Sequence, residues 1–505
     1  MPTPPDEPEG PSSSSPKPSN INWRETAFKM SEAALTTLAS VLVLGLFGYS
    51  YNLYYKAQVL SKIENAFAPG DPLLDLAGSS PPDDPKEGWV PRAEQTLIDN
   101  IIGGKLTGQY HLLVGEKGTG KSSMLIDAMG KIDGEGCSVL ECHSDPEIFR
   151  IRLGKALDFE FHEDNIGALF SIRGPREGNA LLDVERAFNK LEKIALRRRK
   201  KLGRPLILII NSIHLLRDDD NGRDLLELLQ QRAEAWAAGG LATIVFNSDD
   251  YWVYERLKRH ATRMNVIPIF DLEKDKAIAA LRDYRLRYKS EEPDGKLLEE
   301  VYNLVGGRLT FLNRVARSDD MVATCEAIYE AEKTWFLNNC WILGSEMDDD
   351  VMDQQKYASA AMVLAKALVD CEKENMGGKC YDEEKGWILP EIPLHKAREI
   401  MTRADFIQSY DSINLFAIDS HAMVRADSVP MMRAFREICG QEGFEEYLNA
   451  TLQRIGDIES LGRTRELTIK DLWDNGRYNV RFDEEGKRVT FEVGEKKEEE
   501  EGDVH

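Results

Sequence analysis

Cysteine pairing is missing from this chain. Its seven cysteines are odd in number and scattered, with no CxxC spacing and no histidine-rich neighbourhood. Neither a disulfide framework nor a zinc site can be read from them, and a reducing compartment is expected. Positive charge is also short. Lys and Arg number 64 against 87 Asp and Glu, a formal net charge of −23, so diffuse attraction to a polyanion is unfavourable and a nucleic-acid partner is the minority reading. Long apolar runs are absent with one exception. From Ala33 to Tyr55 no residue is charged, a length that lets a helix cross a bilayer. Trp23 precedes the run, and Tyr49, Tyr51, Tyr54 and Tyr55 crowd its far end like an interfacial belt. The alternative is a buried core helix. Arg24 and Lys29 on one flank are matched by Lys56 and Lys62 on the other, so the charge rule does not orient the span.

What remains is a chain of 505 residues, too long for one core and expected to form about two to four folded units. Residues 1–20 are dominated by Pro, Ser and Glu, cannot repay the entropy of ordering, and show neither transit-peptide nor secretory-signal character. Ala68 to Lys86, punctuated by Pro and Gly, reads as a linker. After it come a helical pattern ending at Ile102, a short apolar strand from His111 to Val114, a Gly-rich loop, and a helical pattern from Ser122 to Met129.

The loop, Gly115, Glu116, Lys117, Gly118, Thr119, Gly120, Lys121, Ser122, is a full GxxxxGK[ST] between strand and helix. Dense phosphate charge needs donors that converge without obstructing side chains, and glycine allows that backbone path at a helix N-terminus. Backbone N–H groups from Lys117 to Ser122 are expected to cradle the phosphates of ATP, with Ser123 beside them. Lys121 would reach the β and γ phosphates, and the Ser122 hydroxyl would ligate Mg2+.

A partner strand, Pro205 to Ile210, ends in Asn211, Ser212, Ile213, His214. Most P-loop ATPases place acids at the first two of these positions, one holding water on magnesium and one polarising the attacking water. Both are missing here. Asn211 can accept from a magnesium-bound water, Ser212 cannot act as a base at neutral pH, and His214 is either a substitute base or a satisfied structural residue. Asp218, Asp219 and Asp220 read as a solvated loop. A further strand, Leu241 to Phe246, closes on Asn247, which either senses the γ-phosphate or caps the strand. Arg256, Arg259 and Arg263 follow, as candidate fingers toward a neighbouring subunit in a homo-oligomer or as solvated helix charge.

These pieces resemble the AAA+ and STAND class of P-loop ATPases, near its origin-recognition and archaeal branch, over residues 88–318. Pro91, Arg92 and Glu94 look like the box beside the adenine, Asn247 like the first sensor, and Val305 to Phe311 like the second-sensor motif of a helical lid. The resemblance implies that Arg308 contacts the γ-phosphate. The departures at Asn211 and Ser212 put hydrolysis in doubt and leave binding untouched. A membrane-anchored fungal group with a C-terminal winged helix is similar in layout and implies a mitochondrial inner membrane.

In the last third, Asp353 to Glu374 reads as a long amphipathic helix. Ile392 to Arg403 and Phe406 to Asn414 read as a helix–turn–helix pair, with a β-wing from Leu415 to Arg425. The candidate second helix has no Lys or Arg to meet phosphate, which favours an unidentified protein partner over DNA. The basic run Arg197 to Lys201 reads as a solvated helix end or an anionic-surface contact.

The expected architecture is α/β: a P-loop NTPase parallel sheet with a helical lid, followed by a winged-helix domain, with one N-terminal transmembrane helix. By residue, 1–32 is a disordered N-terminal segment, 33–55 the transmembrane helix, 56–86 a linker, and 87–270 the P-loop core. Residues 271–345 are the lid, 346–465 the winged-helix domain, and 466–505 a β-hairpin and acidic tail. The leading function is a nucleotide-controlled switch or scaffold with weak or no hydrolysis, in which ATP closes lid and winged helix against the core. An active remodelling AAA+ ATPase and a membrane tether for nucleic acid are the alternatives.

Overall fold

Alternating apolar residues of the partner strand decide how the core is layered. In a computed structural model of the chain, residues 23–70, 90, 92–159, 179–342, 352–375, 381–383, 385–470, 476–482 and 489–495 are described. Five parallel strands, β1 (Tyr110–Val114), β2 (Cys137–Glu141), β3 (Leu206–Asn211), β4 (Ala242–Ser248) and β5 (Met264–Pro268), lie in the order β2-β3-β4-β1-β5. Strand β3 is buried on both faces, as parallel strands between helices are. Its Leu206, Leu208 and Ile210 face one helical layer, and Ile207 and Ile209 the other. The first layer holds α4 (Pro146–Ala156), α5 (Ala180–Leu202) and α6 (Asp220–Gly239); the second holds α2 (Gln95–Ile102) and α3 (Lys121–Gly130).

Helix α1 (Trp23–Asn65) is 43 residues long, about 65 Å at the usual rise, and extends ten residues beyond the uncharged run at each end. Leu35, Leu38, Val41, Leu44 and Phe47 are exposed along its outer part. The segment Ala27–Asn65 is long and apolar enough to cross a membrane. Its inner end behaves differently from a linker. Val59 and Ile63, four residues apart on one helical face, and Phe67 in the turn that follows are buried in the ATPase core. Arg198 is buried and donates from Nη1 to the Phe67 carbonyl at 2.7 Å, so the basic run is partly structural. The Phe67 carbonyl also accepts from the Gly136 N–H at 3.0 Å.

After β4 come α7 (Tyr251–Lys258), then β5, then four helices with a core of their own: α8 (Lys274–Lys289), α9 (Gly295–Val305), α10 (Leu309–Arg317) and α11 (Met321–Cys340). The winged helix contains α12 (Met352–Asn375), α13 (Leu394–Met401), α14 (Ile407–Ser412), α15 (Val429–Cys439) and α16 (Phe444–Lys470). Its small sheet orders β8 (Ile392–Pro393), β10 (Met423–Ala426) and β9 (Phe416–Ile418), after a short β6 (Tyr381–Asp382) and β7 (Gly386–Trp387) pair. Near the end, β11 (Gly476–Phe482) and β12 (Val489–Glu495) pair antiparallel. Of the segment 1–32 assigned to disorder, residues 23–32 are helical in α1 and 1–22 lie outside the described residues, as do the linker residues 71–86, the turn at 483–486 and the tail at 496–505.

Candidate functional site

Strand β1 delivers the Gly-rich loop to the N-terminus of α3. Gly118 and Gly120 hold φ of 85° and 98°, and a Cβ on Gly118 would stand 2.4 Å from Thr310 Oγ1 of α10. Glycine is thus required both by the turn and by the lid helix laid over it. Lys121 is buried, donating to the Gly115 and Glu116 carbonyls at 2.7 and 2.8 Å and pairing with Asp249 at 2.8 Å. Arg92 clasps the loop from outside, donating to the Thr119 carbonyl at 2.6 Å and the Phe270 carbonyl at 2.8 Å. Burial holds its pKa below the usual arginine value. Ser123 is exposed on the first turn of α3.

Three polar side chains from three elements meet beside the loop. Ser122 Oγ donates to Asn211 Oδ1 at 3.1 Å, and Asn247 Nδ2 donates to Ser122 Oγ at 3.0 Å and to Asn211 Oδ1. Strand adjacency explains the meeting, since β3 and β4 are neighbours and both end at the mouth of the loop. The fourth member was not legible in the sequence: Asn211 Nδ2 donates to Glu141 Oε2 at 2.7 Å. Glu141 closes β2, whose register sets it opposite Asn211. A carboxylate ending the first apolar strand after the loop helix was the available signal. A cavity of about 760 Å³ opens here, lined among others by Ser122, Glu141, Asn211 and Arg152.

Ser212 turns the chain at φ 54°, in the left-handed region. His214 Nδ1 accepts from the Asp249 N–H at 3.1 Å, and burial pushes its pKa below the ordinary histidine value. Asp218 is not a solvated loop residue. It accepts from Arg223 and Arg256 at 2.9 and 3.1 Å, which hold its pKa down against the opposing effect of burial. Arg256 is therefore tied within its own subunit.

Arg308 reaches the loop differently from the resemblance. It donates to the Lys117 carbonyl at 3.2 Å, but also pairs with Asp271 at 2.7 Å and with Asp427 at 2.9 Å. Asp427 follows β10 of the winged helix, and the neighbouring Arg425 is ion-paired to Glu116 inside the loop. All four of Arg308, Asp427, Arg425 and Glu116 are buried. The winged helix also holds the core through α14, where Asp411 accepts from the Tyr251 N–H at 2.7 Å and Gln408 donates to Glu255 at 2.7 Å.

The residues fit a magnesium nucleotide. The loop is built from glycines at positive φ, and a hydroxyl and an amide oxygen meet where a magnesium that keeps most of its waters needs few protein ligands. Among the described residues no cluster of three or more His, Cys, Asp or Glu offers a dedicated metal cage.

Residues 89–244 match the model of the AAA ATPase domain, so parallel sheet, phosphate loop and lid define an AAA-type P-loop protein. More narrowly, residues 338–459 match the C-terminal winged helix domain of fungal AAA proteins, and the chain carries both domains. Among solved structures, a Walker-type ATPase of Pyrococcus abyssi is similar at 14% identity and TM-score 0.45, over 71% of this chain and 99% of that one. The Orc1 protein of Aeropyrum pernix in complex with DNA is similar at 13% identity and TM-score 0.35, over 72% and 96%. AMPPCP-bound DnaA from Aquifex aeolicus is similar at 11% identity and TM-score 0.31, over 74% and 98%. No curated protein matches the chain.

Proposed function

We propose that this chain is a membrane-anchored ATP switch whose moving part is the winged helix, with hydrolysis slow enough to act as a timer. The observation that carries the reading is the grip of Arg425 and Asp427 on the loop residue Glu116 and the lid residue Arg308. Nucleotide phosphates and the winged helix thus address the same few residues. Lys121, Arg92 and the loop N–H groups would hold ATP; Ser122 and, through water, Asn211 would hold Mg2+, which screens phosphate charge. Asn247, which touches both Ser122 and Asn211, would report the γ-phosphate. Asp250, Asp411 and Asp427 lie at the docked face, and Asp250 is close enough to Lys117 and Lys121 to feel their charge. Phosphate oxygens compete with Glu116 and Asp427 for the Arg425 and Arg308 guanidiniums, which favours release of the winged helix on ATP binding over the closure the sequence suggests.

The tether reading is disfavoured by α14, the helix a DNA-reading winged helix would present, because it is packed on α7 and carries no cation. The membrane placement rests on the exposed apolar part of α1, and subcellular fractionation of the tagged protein tests whether that membrane is the mitochondrial inner one.

Hydrogen exchange on the full chain in detergent micelles tests the switch. MgATP is expected to lower protection in β10 and α14, and Arg425→Ala to do so without nucleotide. Removing one partner of a buried ion pair costs about 3–5 kcal/mol, enough to undock a marginal interface. Protection that is indifferent to both would sink the switch.

A further inference from the structure

The tip of β3 lacks an acid, but the sheet brings one from the neighbouring strand. Glu141 stands in register with Asn211, and Asn211 Nδ2 donates to Glu141 Oε2 at 2.7 Å. The amide orientation is fixed from the other side, since Asn211 Oδ1 accepts from Ser122 at 3.1 Å and from Asn247. An aspartate at 211 would place two carboxylates in contact, so the asparagine is what permits Glu141 to occupy this spot. Glu141 and the Ser122 hydroxyl open on one cavity.

Two nearby candidates, His214 and Asp249, have other partners in this structure. With Nδ1 of His214 accepting from the Asp249 N–H, the neutral ring carries its proton on Nε2 and has no lone pair left for another. The Asp249 carboxylate is paired with Lys121 at 2.8 Å.

We propose that Glu141 is the general base for ATP hydrolysis at this loop. Its carboxylate takes a proton from water as the water oxygen bonds the γ-phosphorus. The bond from that phosphorus to the β–γ bridging oxygen breaks, and ADP leaves with phosphate. The inference rests on the reading of the loop as an ATP site. It makes Asn211 a positioning residue that ties the base to the Ser122 corner.

Three measurements on the full chain in detergent micelles test it: MgATP affinity by titration with a fluorescent ATP analogue, single-turnover hydrolysis, and the identity of nucleotide retained after rapid desalting. Glu141→Gln is expected to slow hydrolysis about 10²- to 10⁴-fold with affinity unchanged, and to retain ATP where the wild type retains ADP. Glu141→Asp, which keeps a carboxylate set back by one methylene, should hydrolyse at a rate between those of the wild type and Glu141→Gln. Hydrolysis by Glu141→Gln at the wild-type rate overturns the proposal, as does wild-type hydrolysis no faster than Lys121→Ala. Glu141→Gln losing affinity in step with rate overturns it too, because the residue would then be structural. Failure of the wild type to bind MgATP removes the ATP-site reading itself, and the proposal with it.

Discussion

Lys121 is held by loop carbonyls and by Asp249, and each of these partners is one a phosphate oxygen can replace. A charged hydrogen bond contributes about 1.5–3 kcal/mol, so Lys121→Ala is expected to weaken MgATP binding about 10- to 100-fold. Asp249 keeps some solvent access and His214 as a neighbour, so the fold should survive. Titration alongside a melting curve checks both; unchanged affinity in a folded protein would move the site elsewhere. The loop, Asn211 and Asn247 were legible because each ends an apolar strand that the P-loop arrangement brings to one edge. Glu141 and Arg425 were not. Glu141 meets a residue 70 positions away through sheet order, and Arg425 meets one 309 positions away through domain docking; neither distance leaves a local pattern.

At the scale of elements, α1 shows what spacing reveals and what it conceals. The uncharged run announces an apolar helix, and the recurrence of Val59, Ile63 and Phe67 marks a buried stripe, yet nothing local names its partner, α5. The stripe makes the inner end of α1 continuous with the core. Phe67 is fully buried, and its carbonyl is fixed by Arg198 and Gly136. Phe67→Ala is expected to cost about 3–5 kcal/mol at that end. Limited proteolysis in micelles should then cut between α1 and β1 while leaving the winged helix protected. Resistance equal to the wild type would mean that the docked end contributes little. The winged helix was legible as helix–turn–helix and wing, whereas the packing of its cation-free helix α14 on α7 of the same chain left no local pattern.

Across the whole molecule, the seam between core and winged helix is built from carboxylates removed from water. Burial raises the Asp411 pKa well above the ordinary value, and Asp250 across the seam raises it further. Asp250 itself is pushed up to about 7 by burial and by Asp249, against the pull of Lys121 and Lys117. Both folded-state values lie above the roughly 3.9 of an unfolded aspartate. The folded chain therefore binds more protons than the unfolded chain between about pH 4 and 7, and stability falls as pH rises through that window. The slope is at most about 1.4 kcal/mol per pH unit for each excess proton. Asp250→Asn removes one titrating member while keeping a side chain of the same shape, so its stability should fall less steeply than the wild type's from pH 5 to 7. Urea unfolding of both proteins in micelles at pH 5, 6, 7 and 8 measures the two slopes. Parallel curves would show that the pair does not titrate across the seam, and the winged helix would then dock without regard to proton concentration.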